Sequence, residues 1–211
     1  MALSVGVLFS SSLPSYAQGT EEGIENTLNK GTIDLNHLDK RGSKVSIKQL
    51  SYDEAMASIA EYEGRTIEET KIKYPKNVSN GFTASSDTWI TEISIPQEVN
   101  WAYVPTLKIF AYLYSSGSFR QFQKLVTVQL DRESSVTGAS KQFAGELKAE
   151  ITSNDPTKIW WLVNGDFYDN GTTSISGGVQ ADGKIWKGNL SVQYATNHYK
   201  YWYNQSTYSL Y

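Results

Sequence analysis

The side chains best suited to acid–base chemistry in this 211-residue chain are two histidines and a scatter of carboxylates. His37 and His198 stand far apart, and neither has a second histidine at the spacing of a metal site. A general base at His198 would need a hydroxyl nucleophile and an acid beside it, which spacing alone does not supply. The chain has no cysteine and no G-x-S-x-G, phosphate-binding loop or dinucleotide-binding motif. The sequence therefore favours a non-catalytic protein over an enzyme.

The carboxylates suggest two further kinds of chemistry, glycoside hydrolysis and calcium binding. Hydrolysis needs two carboxylates at a fixed separation, and no spacing selects a pair among Asp131, Glu133, Glu146, Glu150, Asp166 and Asp169. The segment NGDFYDNG, residues 164–171, concentrates oxygen ligands that suit Ca²⁺, but it lacks the closing glutamate of an EF-hand loop. We expect an Asp-Asn-Gly hairpin turn there and no cofactor, with Ca²⁺ near Asp166 and Asp169 as the alternative.

The C-terminal segment HYKYWYNQSTYSLY, residues 198–211, carries six tyrosine and tryptophan rings. Strand alternation places Tyr199, Tyr201 and Tyr203 on one face and Trp202 on the other. The apolar positions change parity after 204–206, where we expect a bulge or a tight turn. A second strand, KIFAYLYSS at 108–116, leaves Tyr112 on the face opposite its aliphatic residues.

These rings have two interpretations. They are either cross-strand packing that shields a sheet, or an exposed platform that binds a glycan or a partner protein at low entropic cost. A contiguous exposed patch would favour the platform, because large patches are unusual on monomers. The predicted ligand-binding residues are Tyr199, Tyr201, Trp202, Tyr203 and Tyr112.

Period-two hydrophobicity from about residue 82 onward predicts the sheets that position these rings. KIWWLV, at 158–163, is apolar on both faces and is expected to be a central strand. In the strand near 185–194 we expect buried side chains as far as Tyr194. This many short strands, separated by turn signals such as Ala181-Asp182-Gly183, is typical of an antiparallel β-sandwich or a small barrel. The predicted strands are 89–95, 107–113, 122–130, 143–151, 158–163, 173–180, 185–194 and 199–211.

A short helical N-terminal arm is predicted at residues 48–75. Ser51 with Glu54, and Thr66 with Glu69, have the spacing of capping boxes. Gly64 ends the first helix and Pro75 follows the second. The apolar stripes are Tyr52, Met56, Ile59 and Ala60 in the first helix, and Ile67 and Ile72 in the second.

The first 17 residues, MALSVGVLFSSSLPSYA, predict a secretory signal peptide that is cleaved before Gln18. A flexible leader at 18–47 and the helical arm would then precede a sandwich domain at 82–211. Secretion without cysteine favours a bacterial, and more weakly a Gram-positive, source. The net charge is −3 and basic residues do not cluster, which argues against nucleic acid as a partner. No apolar run is long enough to predict a membrane-spanning helix.

Three stretches resemble uncharacterised small secreted proteins of Gram-positive bacteria: SYDEAMASIAEYEGRTIEET, SSGSFRQF and NGDFYDNGTTSISGGV with its aromatic ending. The resemblance spans most of the chain after the predicted cleavage site, but its motifs are structural, so it implies no activity, cofactor or site residue. The leading hypothesis is a secreted protein that binds an extracellular glycan or protein through strand-borne aromatic residues. The alternatives are a secreted antagonistic effector, such as a bacteriocin-like protein or inhibitor, and a sandwich-fold hydrolase.

Overall fold

The computed structural model describes residues 45–76, 89–180 and 182–211. In these ranges the chain is mainly β and forms an antiparallel sandwich of a four-stranded and a three-stranded sheet, with two helices. This confirms the predicted fold class. The predicted signal peptide, the leader up to residue 44 and most of the linker at 76–87 lie outside the described residues. Neither of the two helices in these ranges has the length and hydropathy to cross a bilayer.

The first sheet has the order β1-β2-β3-β4, with every neighbouring pair antiparallel. Its strands are β1 (Ser46–Leu50), β2 (Ile90–Pro96), β3 (Thr106–Ser116) and β4 (Phe119–Asp131). Three of them fall where hydrophobic alternation predicts them. β1 was not predicted, because its five residues show little alternation. It spans the boundary between the expected leader at 18–47 and the helical arm predicted at 48–75, so the arm begins with a strand and not with a helix.

Both predicted helices form, as α1 (Tyr52–Glu63) and α2 (Ile67–Lys73), and both capping boxes are present. Gly64 ends α1 in the left-handed conformation. α1 buries the predicted stripe of Met56, Ile59 and Ala60. The expected apolar face of α2 is wrong, since Ile67 and Ile72 are exposed and Thr70 is its buried residue.

α1 packs on one face of the first sheet and shares its hydrophobic core. Met56 and Ile59 contact a cluster that includes Phe110, Tyr112 and Val126. Val126 reaches this face because a bulge opposite Phe110 and Ala111 breaks the alternation of β4. The helix therefore covers the second face of β3, which the strand pattern alone left open.

The second sheet consists of β5 (Gln142–Ile151), β6 (Lys158–Val179) and β7 (Ile185–Ser209). Each strand pairs with the other two, because β6 and β7 are long enough to use different segments for different partners. The first half of β6 lies between β5 and the last half of β7, and the second half of β6 pairs with the start of β7. The sheet therefore coils strongly, and KIWWLV is a central segment, as predicted.

Two predicted boundaries in this sheet are wrong. β6 continues through Asp169-Asn170-Gly171 with a register shift where a hairpin turn was expected. β7 continues across 194–199, where Tyr194 and Asn197 adopt positive φ and bend the strand. The bend turns Tyr194 into solvent, 86% exposed, although the alternation predicted a buried residue. The β6–β7 connection at Asp182-Gly183 is a turn, as expected.

Candidate binding surface

The outer face of the β6–β7 hairpin carries two of the predicted aromatic residues side by side. Tyr201 pairs with Asp166 across the strands and Tyr203 pairs with Asn164. The two tyrosines are 54% and 50% exposed. Residues two apart on one strand face are separated by about 6.7 Å. Two half-exposed rings thus form a short row along the outermost segment of this sheet.

A hydrogen bond to β6 fixes the position of one of these rings, Tyr201. The Tyr201 hydroxyl donates to Asn164 Oδ1 at 2.7 Å. Because the acceptor belongs to the neighbouring strand, this bond holds the Tyr201 side chain against β6. Next to it, His198 Nε2 lies 2.8 Å from Asp166 Oδ1, and the edge of the Tyr168 ring packs against the imidazole at 5.6 Å between centroids. Aromatic rings, a carboxylate, an amide and an imidazole therefore share one surface.

Polar residues continue this surface across β5. Glu146 is opposite Asn164 in the β5–β6 register and opposite Asn189 in the β5–β7 register. Its carboxylate also forms an ion pair with Lys148, 2.7 Å away. Amide and carboxylate oxygens accept hydrogen bonds from hydroxyl groups, and amide N–H groups donate to them. We refer to Tyr201, Tyr203, Asn164, Asp166, His198 and Glu146 as the outer-face surface.

Tyr199 was predicted on the same face as Tyr201, and that placement is wrong. The register of β6 and β7 shifts between Phe167/Lys200 and Tyr168/His198, so Tyr199 is an extra, unpaired residue in β7. A bulge of this kind turns the side chain to the other side of the strand. The Tyr199 ring packs edge-on against Tyr103, 5.7 Å between centroids, beneath the ammonium of Lys141, 3.6 Å from its centre. Burial raises the pKa of Tyr103 far above its usual range.

Trp202 lies on the face opposite Tyr201 and Tyr203, as the alternation predicts, and it is half-buried. Its indole N–H donates to Gln97 Oε1 at 3.2 Å, and Asn204 Nδ2 donates to the same oxygen at 3.1 Å. The expected bulge at 204–206 is absent from the β6–β7 register. Trp202 therefore lies on the same face of β7 as the buried Tyr208. Its hydrogen bond to Gln97 connects β7 to the β2–β3 loop.

The fifth predicted residue, Tyr112, lies elsewhere. It is 3% exposed within the cluster beneath α1. Tyr112 cannot be part of an exposed platform, because α1 covers the face of β3 on which strand alternation places this tyrosine. Of the five predicted residues, the structure brings only Tyr201 and Tyr203 together on an outward face.

The carboxylates considered for calcium or catalysis do not converge. Asp166 lies against His198, whereas Asp169 lies 2.5 Å from the ammonium of Lys141. Across the described ranges, no three metal-ligating side chains come together. Asp131, another carboxylate of that group, pairs with Lys108.

Trp101, which strand alternation does not single out, is 89% exposed in the β2–β3 loop. The neighbouring Asn100 donates from Nδ2 to the Tyr199 hydroxyl, so this loop lies against the bulged segment of β7. The sequence feature that indicates an exposed ring here is a tryptophan in VNWAYV, between the strands predicted at 89–95 and 107–113.

The fold and this surface define a cysteine-free antiparallel β-sandwich with an aromatic and polar outer face. No family model, curated protein or solved structure matches the chain significantly.

Proposed function

We propose that this chain is a secreted, non-catalytic binding protein that recognises an extracellular glycan through the outer-face surface. The observation that carries the proposal is the pair of half-exposed rings, Tyr201 and Tyr203, beside Asn164 and Asp166. Tyrosine faces supply apolar contact area at low conformational cost. The adjoining carboxylate and amide groups supply hydrogen bonds to hydroxyl groups. A glycan presents both kinds of surface, namely C–H faces and hydroxyl edges.

A protein partner is the other kind of ligand that such a surface suits, since exposed tyrosines are common in protein interfaces. We favour the glycan because the outer-face surface is rich in acceptors, and because polar residues on the neighbouring strand flank its two rings, Tyr201 and Tyr203. The His198–Asp166 pair would contribute polar contacts to the ligand. A hydrolase would need a nucleophile or a second carboxylate beside this pair, and the nearby Glu146 is paired with Lys148.

The test is binding of the double variant Tyr201→Ala/Tyr203→Ala to purified cell-wall polysaccharides and immobilised glycans. We expect at least a tenfold loss of affinity, about 1.4 kcal/mol or more, with an unchanged melting temperature because both rings are outward. Tyr194→Ala is the matched control, as it removes an exposed tyrosine from the bend of the same strand and should leave binding intact.

The single variant Tyr201→Phe separates stacking from hydrogen bonding, because it keeps the ring and loses the bond to Asn164. If the double variant binds glycans as tightly as the wild type, the outer-face surface is not the binding site. Binding only to protease-sensitive material would replace the glycan by a protein partner. The secretion part of the proposal predicts an exported protein whose first residue, by mass spectrometry, is Gln18.

A further inference from the structure

A cavity of about 420 Å³ lies where the helices, the first sheet and the second sheet meet. Tyr62 reaches it from α1, Lys73 from the end of α2, Gln129 from β4 and Trp186 from β7. Its volume falls within the roughly 300–1,000 Å³ of small-ligand pockets. None of its lining residues belongs to the outer-face surface, so it is a separate feature of the molecule.

Two buried donors in the cavity wall have no hydrogen-bond acceptor among the described residues. They are the side-chain amide Nε2 of Gln129 and the indole Nε1 of Trp186. Each residue is 2% exposed. Buried N–H groups are bonded in the great majority of cases, since leaving one unbonded destabilises the fold. Both donors thus lack the acceptor that such groups usually have, and both belong to residues that line the cavity.

The position of the Trp186 indole is built into the sheet. Gly177 and Gly188 pair across β6 and β7, and the indole lies over both. A Cβ atom would come within 2.9 Å of the ring at Gly177 and within 2.2 Å at Gly188. Only glycine leaves room for the ring on this backbone, so the two glycines hold the indole at the cavity wall.

The cavity wall is also positively charged. It contains three cations, Arg65, Lys73 and Arg132, and one carboxylate, Glu63. Glu63 is occupied by Arg65 at 3.1 Å and by Lys73 at 2.9 Å. The Nη1 group of Arg132 donates to neutral acceptors, Gln142 Oε1 at 2.6 Å and Thr173 Oγ1 at 2.7 Å. Those two bonds orient the guanidinium without neutralising its charge.

We propose that this cavity binds a small carboxylate-bearing molecule, whose oxygens accept hydrogen bonds from Gln129 Nε2 and Trp186 Nε1 beside the Arg132 guanidinium. A carboxylate has several acceptor positions in one plane, which suits N–H donors and a guanidinium together. Val128, Ile175 and the indole face provide apolar wall for a carbon skeleton. The site therefore suits an organic anion better than a bare inorganic one.

The test titrates the full chain, with ¹⁵N-labelled tryptophan, against four probes: acetate, glucuronate, neutral glucose and inorganic phosphate. The Trp186 indole resonance is assigned as the one missing from the spectrum of Trp186→Phe. We expect acetate and glucuronate to shift this resonance in a saturable manner, and glucose to leave it in place. Phosphate should act more weakly than either carboxylate.

Two variants test the donors. Gln129→Leu replaces a buried amide by an apolar side chain of similar size, so the free protein should be as stable as the wild type or more so. Its affinity for glucuronate should fall about tenfold. Gln123→Leu, on the same strand outside the cavity, is the matched control. Trp186→Phe keeps a ring over the glycines and should also weaken binding.

Three results would overturn the proposal. The first is an indole resonance that neither carboxylate shifts. The second is a Gln129→Leu variant that binds glucuronate as tightly as the wild type. The third is a response to phosphate alone, or a crystal soaked with glucuronate in which both donors bond only to ordered water.

Discussion

At the scale of single residues, one inserted residue decides which rings of β7 face outward. The bulge at Tyr199 turns that ring and Lys200 toward the β2–β3 loop, where Lys200 Nζ donates to the Val99 carbonyl at 2.6 Å. Tyr201 and Tyr203 then keep the opposite, outward face. The binding surface is consequently shorter than an unbroken alternation would make it, because its first ring is used for packing.

Tyr62 offers a pH-dependent test of a single buried contact. Its hydroxyl donates to the Leu130 carbonyl at 2.7 Å and accepts from Leu130 N at 3.1 Å. Burial raises its pKa to about 12, whereas an unfolded tyrosine titrates near 10. Between these values the unfolded chain has released a proton that the folded protein still binds, so stability falls as the pH rises through this range.

The variant Tyr62→Phe should therefore lose less stability than the wild type between about pH 9 and pH 12. The difference should approach 2–3 kcal/mol, which is the energy of about two pKa units. Urea unfolding of both proteins at both pH values measures this difference. Subtracting the stability loss of Tyr62→Phe from that of the wild type cancels the cost of the hydrogen bond that the variant lacks, because that cost is the same at each pH. Equal losses in the two proteins would show that Tyr62 ionises as readily folded as unfolded.

At the scale of elements, the coiling of the second sheet depends on a glycine pair in its centre. Gly145 and Gly165 pair directly across β5 and β6. A Cβ atom on Gly165 would lie 2.3 Å from the Ala144 carbonyl oxygen and 2.7 Å from Gly145 Cα. These are backbone atoms, so rotating a side chain cannot relieve the clash.

Gly165→Ala should therefore destabilise the protein by about 3 kcal/mol or more, at the upper end of what overpacking usually costs. Gly178→Ala is the control, because it lies on the same strand and a Cβ there meets no atom within 4 Å. Chemical denaturation of both variants gives the comparison. A Gly165→Ala protein as stable as Gly178→Ala would mean that the two strands can separate without cost.

At the scale of the whole molecule, the helices and both sheets hold together through several shared contacts. α1 completes the core of the first sheet through Met56 and Ile59. The loop after β2 is bonded to Trp202 in the second sheet, and Leu125 N of β4 donates to the Gly183 carbonyl at 2.7 Å. Removal of the helical segment would uncover Phe110 and Val126.

Because of these contacts, we expect a single cooperative unfolding transition. Met56→Ala, in the helix–sheet cluster, and Val163→Ala, in the core of the second sheet, should each lower the same melting temperature. Met56→Ala should cost about 2–5 kcal/mol, and each kcal/mol corresponds to a shift of about 2–4 °C at this chain length. Differential scanning calorimetry measures both variants. Two separate transitions, each moved by only one substitution, would contradict a shared core.

The features that can be predicted from the amino-acid sequence are those encoded by residues close together in the chain. Alternating hydrophobicity specified three strands of the first sheet and β5, because it defines one buried face within a few residues. The Ser51 and Thr66 capping boxes specified both helices, because they supply hydrogen bonds to backbone N–H groups at each helix start. The alternation also placed Tyr201 and Tyr203 together on one face of the last strand. Tertiary structure alone decided that α1 buries Tyr112, that a bulge turns Tyr199 inward, and that Gln129 and Trp186 face one cavity. These outcomes depend on which distant segments pack together, and local periodicity contains no information about that choice.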